Sequence, residues 1–361
     1  MPSSRLISWL PTVFVLLLAL AQGSSPAASR PQFQEVVRDV LPAVVHIRTP
    51  ERPMRPPGYQ DPYQYFFQQP IPAGASSFPL GTGFMIQPRG YVVTSFQVID
   101  GAQQLEVVSQ QKKTWKARLV GGDRASDLAL LKIEGTSQIP TLDFGDSQRI
   151  LAGEAVLVIG FPLGFQPLML TGGIAAKGNV LGAGAFNRHI LLDVPTHPGV
   201  AGGPVIDLRG RVIGLATYTS EGPPHLGFVF PSAQLQDLVK DLVRHGRVVR
   251  PWLGLVARSL VTVDSIAEVY DPSIRSGLLV DNLIIDGPAA KAGLQVGDLL
   301  LTAGTVTLHE IVQLHDQLAR MKAGERLAFK VFRRKQGFVT ITVTLSDIPS
   351  AEDLPQTPDL L

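Results

Sequence analysis

The sequence predicts a mainly β chain with one amphipathic helix near its middle. Three observations predict it. Short apolar and β-branched runs recur across residues 81–232, each bounded by Gly, Pro, Asn or Asp. Glycine (35) and proline (29) are abundant among 361 residues, which suits many tight turns rather than long helices. Ala233–Gly246 then switches to leucines and valines at helical spacing and stops on a glycine.

The elements follow in order. Phe33–Val40 has apolar residues at helical spacing and leads into a strand around Val44–Ile47. Segment 50–80 is rich in Pro, Tyr, Gln and Phe and shows neither period. Its aromatics read either as a contact surface or as part of a disordered insertion. Strands are expected at Gly90–Thr94, Gln104–Val108, Leu128–Ile133, Ala155–Ile159, His189–Asp193, Val205–Asp207 and Arg211–Ala216. The helix at Ala233–Gly246 closes the series.

Composition excludes several functions. The 32 basic and 30 acidic residues leave a net charge of +2, so nothing suggests a nucleic-acid groove. Cysteine is absent and the 7 histidines are scattered, so neither disulfides nor a metal site are expected, and no cofactor motif is seen. At the N-terminus, Arg5 precedes the apolar run Val13–Ala21 and then small residues. This pattern reads as an export signal over residues 1–28, cleaved or kept as a membrane anchor. Either form puts the bulk of the chain outside the cytoplasm, which in a Gram-negative bacterium means the periplasm.

Three segments carry the chemistry. Thr196-His197-Pro198-Gly199-Val200-Ala201-Gly202-Gly203-Pro204 resembles the nucleophile loop of chymotrypsin-type serine proteases, with Ala201 at the serine position. Tyr91–Asp100 is similar to the strand and turn that carry the histidine, and holds Gln97 there; Asp127, in Ser126-Asp127-Leu128, matches the third member. Acyl transfer by this design needs a hydroxyl nucleophile and an imidazole base, and neither alanine nor glutamine supplies one. Gln97 could still donate an amide hydrogen bond to Asp127, or Asp127 could serve only local backbone groups. His197 reads as a polar surface or turn residue rather than a displaced base.

With Gly81-Thr82-Gly83-Phe84-Met85-Ile86, Leu142–Ser147, Ala155–Gly164 and Gly227–Ser232, the resemblance extends over about residues 33–346 to the HtrA/Deg family of serine proteases with PDZ domains. That resemblance implies a chymotrypsin-like pair of six-stranded β-barrels over 29–249, with the long loop at 50–80. A single C-terminal PDZ domain (α+β) would cover 250–348, and a polar tail 349–361. It implies an oxyanion hole from the backbone N–H groups of Gly199 and Ala201, and Leu215-Ala216-Thr217 lining the specificity pocket. Trp252-Leu253-Gly254-Leu255 would be the loop that captures a peptide's terminal carboxylate, and Gly287–Asp298 the most recognisable PDZ stretch. A helix over about Glu310–Met321 and a last strand over Phe338–Leu345 would follow it. His315 and Ala319 either face the peptide groove or are ordinary surface positions. Phe33 would be a trimer contact.

With Gln97 and Ala201 in place, the chain is expected not to be an enzyme. It would instead be an exported adaptor, holdase or regulatory subunit in protein quality control, binding protein C-termini or unfolded polypeptides. It would assemble as a homotrimer or with an active relative. The alternatives are an endopeptidase using another nucleophile, such as Ser95 or Ser220, and a purely structural subunit.

Overall fold

The computed structural model describes residues 33–348 except 52, 55–61, 70–76, 88–89, 135–138, 164–165, 180–187, 219–224, 261–273 and 275. The expected signal at 1–28, Ser220, the tail at 349–361 and parts of the 50–80 segment lie outside the described residues. Among the described residues no helix is long and apolar enough to cross a membrane.

Helix α1 (Phe33–Val40) leads into β1 (Val44–Thr49), and a short helix α2 (Pro62–Phe67) precedes β2 (Phe78–Gln87) and β3 (Tyr91–Thr94). The single turn α3 (Phe96–Ile99) is followed by β4 (Leu105–Ser109), β5 (Thr114–Asp123) and β6 (Leu128–Ile133). These six strands close a barrel in the order β1-β2-β3-β6-β5-β4. Next come β7 (Ala155–Gly160), β8 (Leu168–Asn179), β9 (Arg188–Leu192), β10 (Pro204–Asp207), β11 (Val212–Thr217) and β12 (Gly227–Pro231). They close a second barrel, β10-β11-β12-β9-β8-β7. Closure leaves neither sheet an unpaired edge.

Each barrel has its own apolar filling, with Val45, Met85 and Leu131 in the first and Val158, Ile190 and Val205 in the second. A third cluster joins them, in which Phe84 and Leu130 meet Leu157, Ile159 and Phe230. Helix α4 (Ser232–His245) closes over it, burying Leu235, Val239 and Leu242 on one stripe. The helix ends at Gly246 in the left-handed region (φ 71°), whose N–H returns to Leu242 O at 3.0 Å.

Among the described residues, the C-terminal unit holds β13 (Pro251–Trp252), β14 (Leu255–Ser259), β15 (Leu278–Leu283), α5 (Pro288–Lys291), β16 (Leu299–Ala303), β17 (Val306–Thr307), α6 (Ile311–Leu318), β18 (Arg326–Arg333), β19 (Gly337–Thr344) and β20 (Ser346–Asp347). Its sheet runs β14-β15-β16-β18-β19, with β14 at one edge, and β13 pairs separately with β20. Helix α6 is shorter than the expected Glu310–Met321. A Glu310–Gln313 capping box fixes its start, and Met321 N–H closes a turn onto Leu318 O.

Arg250 stands between the barrels and this unit. Its guanidinium donates to both Asp123 oxygens (2.5 and 2.6 Å), and both side chains are only 12% exposed. Burial alone would raise the Asp123 pKa, but the Arg250 hydrogen bonds and charge outweigh it and hold the carboxyl below its usual range. The Arg250 backbone N–H donates to Asp347 Oδ1 (3.2 Å) and its carbonyl accepts from Ile348 N–H (3.1 Å). Removing one partner of such a buried pair strands the other charge, so Arg250→Ala is expected to lower stability by about 3 kcal/mol in urea denaturation. Asp123→Ala with Arg250→Ala should cost clearly less than the sum of the two single changes.

Candidate active site and peptide groove

The cleft between the barrels brings together two of the three residues expected there. Asp127, immediately before β6, has a left-handed backbone (φ 50°), unusual for a residue with a side chain. Its carboxylate accepts from Ser95 Oγ (2.5 Å), Gln97 N–H (2.9 Å) and Gln97 Nε2 (2.9 Å). Gln97 Nε2 also donates to Tyr218 O at 3.0 Å. Burial pushes the Asp127 carboxyl above its ordinary range, against the pull of the Ser95 and Gln97 hydrogen bonds. The amide of Gln97 thus satisfies the carboxylate from the histidine position.

Ala201 is buried beside barrel 1 and carries no hydroxyl. Its N–H donates to His197 O at 3.2 Å, as does Val200 N–H at 3.0 Å. In this conformation the Ala201 donor points back into its own turn, so the expected pair of oxyanion donors at Gly199 and Ala201 is not presented as a pair. Val200 is fully buried in the second barrel's core, and a Cβ on Gly160 would fall 2.7 Å from Val200 Cγ1. The turn closes through Gly202 (φ 82°), where a Cβ would come within 2.2 Å of Thr82 O, so only glycine fits.

Thr82, which sequence reasoning did not single out, ties the turn to both barrels. Its hydroxyl donates to Gly199 O (2.8 Å) and accepts from Phe161 N–H (2.8 Å), while its N–H donates to Ala201 O (3.1 Å). A polar residue between two glycines of an apolar strand was the available signal. His46 also bridges the barrels: its Nδ1–H donates to Phe161 O at 3.0 Å.

His197, expected as a surface or turn residue, starts the turn but is buried, 7% exposed. Tyr65 stacks on it (5.5 Å between ring centroids, 16° between planes) and Phe66 meets it edge-on (5.0 Å, 84°). Phe66 Cε2 would lie 3.3 Å from a Cβ on Gly199. Helix α2 therefore roofs the turn from within a segment that showed no helical period. Phe33 is partly buried and packs on the cluster between the barrels of its own chain.

In the C-terminal unit, Gly254 takes a left-handed backbone (φ 74°) between β13 and β14. Leu253 O accepts from Ala289 N–H (2.8 Å) and Gly254 O from Ile284 N–H (2.9 Å), so both carbonyls face inward. In a trans peptide the N–H points opposite the C=O, so Gly254 and Leu255 present their N–H groups on the other side. For Leu255 that side is the open edge of β14. Trp252 is 5% exposed beneath this loop. Helix α6 lies across from β14 and carries His315, with Ala319 at its C-cap; Ile311 N–H donates to Ser259 Oγ (3.2 Å) and ties the two together at one end.

Burial lowers both His46 and His197 from 6.5 to about 4. The unfolded chain therefore binds more protons than the folded one between these values. Their contribution to stability is complete above pH 6.5 and is lost as pH falls through 4, at about 1.4 kcal/mol per pH unit for each group. His46→Asn keeps a donor toward Phe161 O without titrating, so its urea midpoint should drop less than the parent's between pH 7 and pH 4.5. The Asp127 network also meets whatever stands at position 97. Gln97→His combined with Ala201→Ser is expected to raise casein cleavage at least about tenfold over the parent chain.

The trypsin-like peptidase domain family matches residues 81–215, and the PDZ domain family matches 256–345. A probable periplasmic serine endoprotease, DegP-like, of Marinomonas sp. (strain MWYL1) is 34% identical over 96% of this chain and 78% of its own length. Its counterpart in Pseudomonas savastanoi pv. phaseolicola is 32% identical over 94% of this chain and 76% of its own length. Among solved structures, the HtrA-type protease AlgW with decapeptide superposes with a TM-score of 0.74 at 28% identity, covering 88% of this chain and 99% of that one. The serine endoprotease from Yersinia pestis gives 0.67 at 25%, covering 88% and 98%. These relatives overturn the expectation that the chain is not an enzyme. Proteins similar along nearly its whole length are named serine endoproteases, and two side chains were too narrow a basis for that conclusion.

Proposed function

Because this chain belongs to the DegP-like, HtrA-type family of periplasmic serine endoproteases, we propose that it captures polypeptide ends and extended segments through the groove between β14 and α6. In doing so it serves periplasmic protein quality control as an adaptor or holding protein. The observation that carries this reading is the outward Leu255 N–H on an edge strand, next to the left-handed Gly254. A peptide added there extends the sheet with main-chain hydrogen bonds, and its last carboxylate meets the loop. The decapeptide named with AlgW supports the same class of ligand. The assembly is proposed to be a homotrimer, or a hetero-oligomer with a second HtrA-type protease, held partly by the exposed Tyr65 and Phe67.

A second reading, peptide-bond hydrolysis, is supported by the family and by the buried Ser95–Asp127 pair, where a hydroxyl lies 2.5 Å from a carboxylate of raised pKa. Ser95 is fully buried, so this reading also requires the cleft to open. Labelling by a serine-reactive phosphonate that disappears in Ser95→Ala would establish it.

The capture reading is tested with a library of peptides carrying free or amidated C-termini. Free-carboxylate peptides with an apolar last residue are expected to bind at least about tenfold more tightly than their amides. Equal binding of both forms would overturn it.

A further inference from the structure

The strand that edges the peptide groove has two faces, and only one of them turns toward α6. Leu255 is buried in the core of the domain, Ala257 packs on that core, and Ser259 Oγ accepts from Ile311 N–H of α6. Side chains alternate along a strand, so Val256 and Arg258 lie on the opposite face. The register with β15 passes from Val256–Asn282 to Ala257–Val280 and skips Asp281. The extra residue of this bulge belongs to β15, so β14 itself offers an incoming strand a regular ladder. Asp281, the skipped residue, pairs with Arg258, its Oδ1 lying 3.1 Å from Nε. The pair is partly open to solvent, with the Arg258 side chain 51% and the Asp281 side chain 32% exposed. An ion pair so placed contributes little to stability, which leaves the guanidinium available to a ligand.

A terminal carboxylate that meets the 252–254 loop lies at the N-terminal end of β14, so the peptide behind it runs antiparallel to that strand. Its last residue then stands opposite Leu255, and the three before it stand opposite Val256, Ala257 and Arg258 in turn. Opposed residues project from the same face with Cβ atoms about 5 Å apart. The last residue and the third from the end therefore face α6, while the fourth from the end meets Arg258. Distance decides which charge it meets first. Arg258 stands on the strand beside the peptide, and Asp281 stands one strand, about 5 Å, further away. Asp281 engages the Nε side of the guanidinium, and among the described residues no second acid pairs with it. The Nη ends can take another carboxylate in a forked pair. We propose, on the premise that β14 captures polypeptide ends, that the groove prefers ends with an aspartate or glutamate fourth from the C-terminus, read by Arg258.

The test is fluorescence anisotropy of the full chain with the tightest apolar-ended, free-carboxylate peptide of the library. Three versions of that peptide carry Glu, Gln or Lys fourth from the end. Glu is expected to bind about threefold more tightly than Gln, and Lys about threefold more weakly. The spread should shrink at about 0.5 M salt, where exposed charges are screened. Arg258→Gln should flatten the order. Arg258→Glu should invert it, binding the Lys version most tightly while holding the Gln version within about twofold of the parent's affinity. That inversion also shows that the variant is folded. Equal affinity for the three versions, or an order that Arg258→Glu leaves unchanged, overturns the preference while the capture of ends stands. Equal binding of free and amidated peptides would remove the capture itself, and the preference with it.

Discussion

The buried carboxylate of Asp127 is the group around which the cleft is organised. A carboxylate withdrawn from water is costly unless donors replace its hydration, and here Ser95 Oγ, Gln97 N–H and Gln97 Nε2 do so within 2.9 Å. Phe96 N–H adds a bond to Asp127 O at 3.1 Å, so α3 and the start of β6 are fixed together. This explains why position 97 must hold a donor even where no imidazole stands. The Gln97 amide reaches Asp127 Oδ2, which Ser95 Oγ also reaches, while its second N–H anchors to Tyr218 O.

From that point order passes outward through few contacts. Ser126, next to Asp127, donates its backbone N–H to Asp123 (2.8 Å), and Asp123 is the partner of Arg250 at the entrance to the PDZ domain. On the other side of the cleft, Thr82 holds the 199–201 turn by two hydrogen bonds and accepts a third from Phe161 N–H, while Tyr65 and Phe66 cover His197. The polypeptide-facing surfaces are thus differently prepared. The 199–201 turn is covered from above and bonded within itself, whereas the edge of β14 is open with its N–H groups outward.

Much of this was legible in the sequence. Apolar runs located eight of the twelve barrel strands to within two residues, because strands such as β6 and β11 are buried on both faces; β5, with its exposed polar face, and the glycine-interrupted β8 were not located. The sequence left open whether Asp127 meets Gln97 or serves only backbone groups; in the structure Gln97 Nε2 lies 2.9 Å from its carboxylate. Helix α2 was not legible: its six residues have no period of their own, and stacking on His197, far along the chain, orients its rings. The burial of His197 was hidden for the same reason. That Asp281 is the extra residue beside Arg258 depends on strand register, which no local pattern gives. The expectation about enzymatic activity failed because it weighed two positions, whereas the relationship to named endoproteases runs along nearly the whole chain.

The central claim is that β14 is an open edge prepared for an incoming strand. Amide hydrogen exchange of the full chain, with and without a saturating peptide that has a free apolar C-terminus, tests it most directly. The account predicts new protection concentrated at Gly254–Ser259 and along α6, with the 197–201 turn unchanged. Protection confined to the barrel cleft, with β14 exchanging as before, would contradict it.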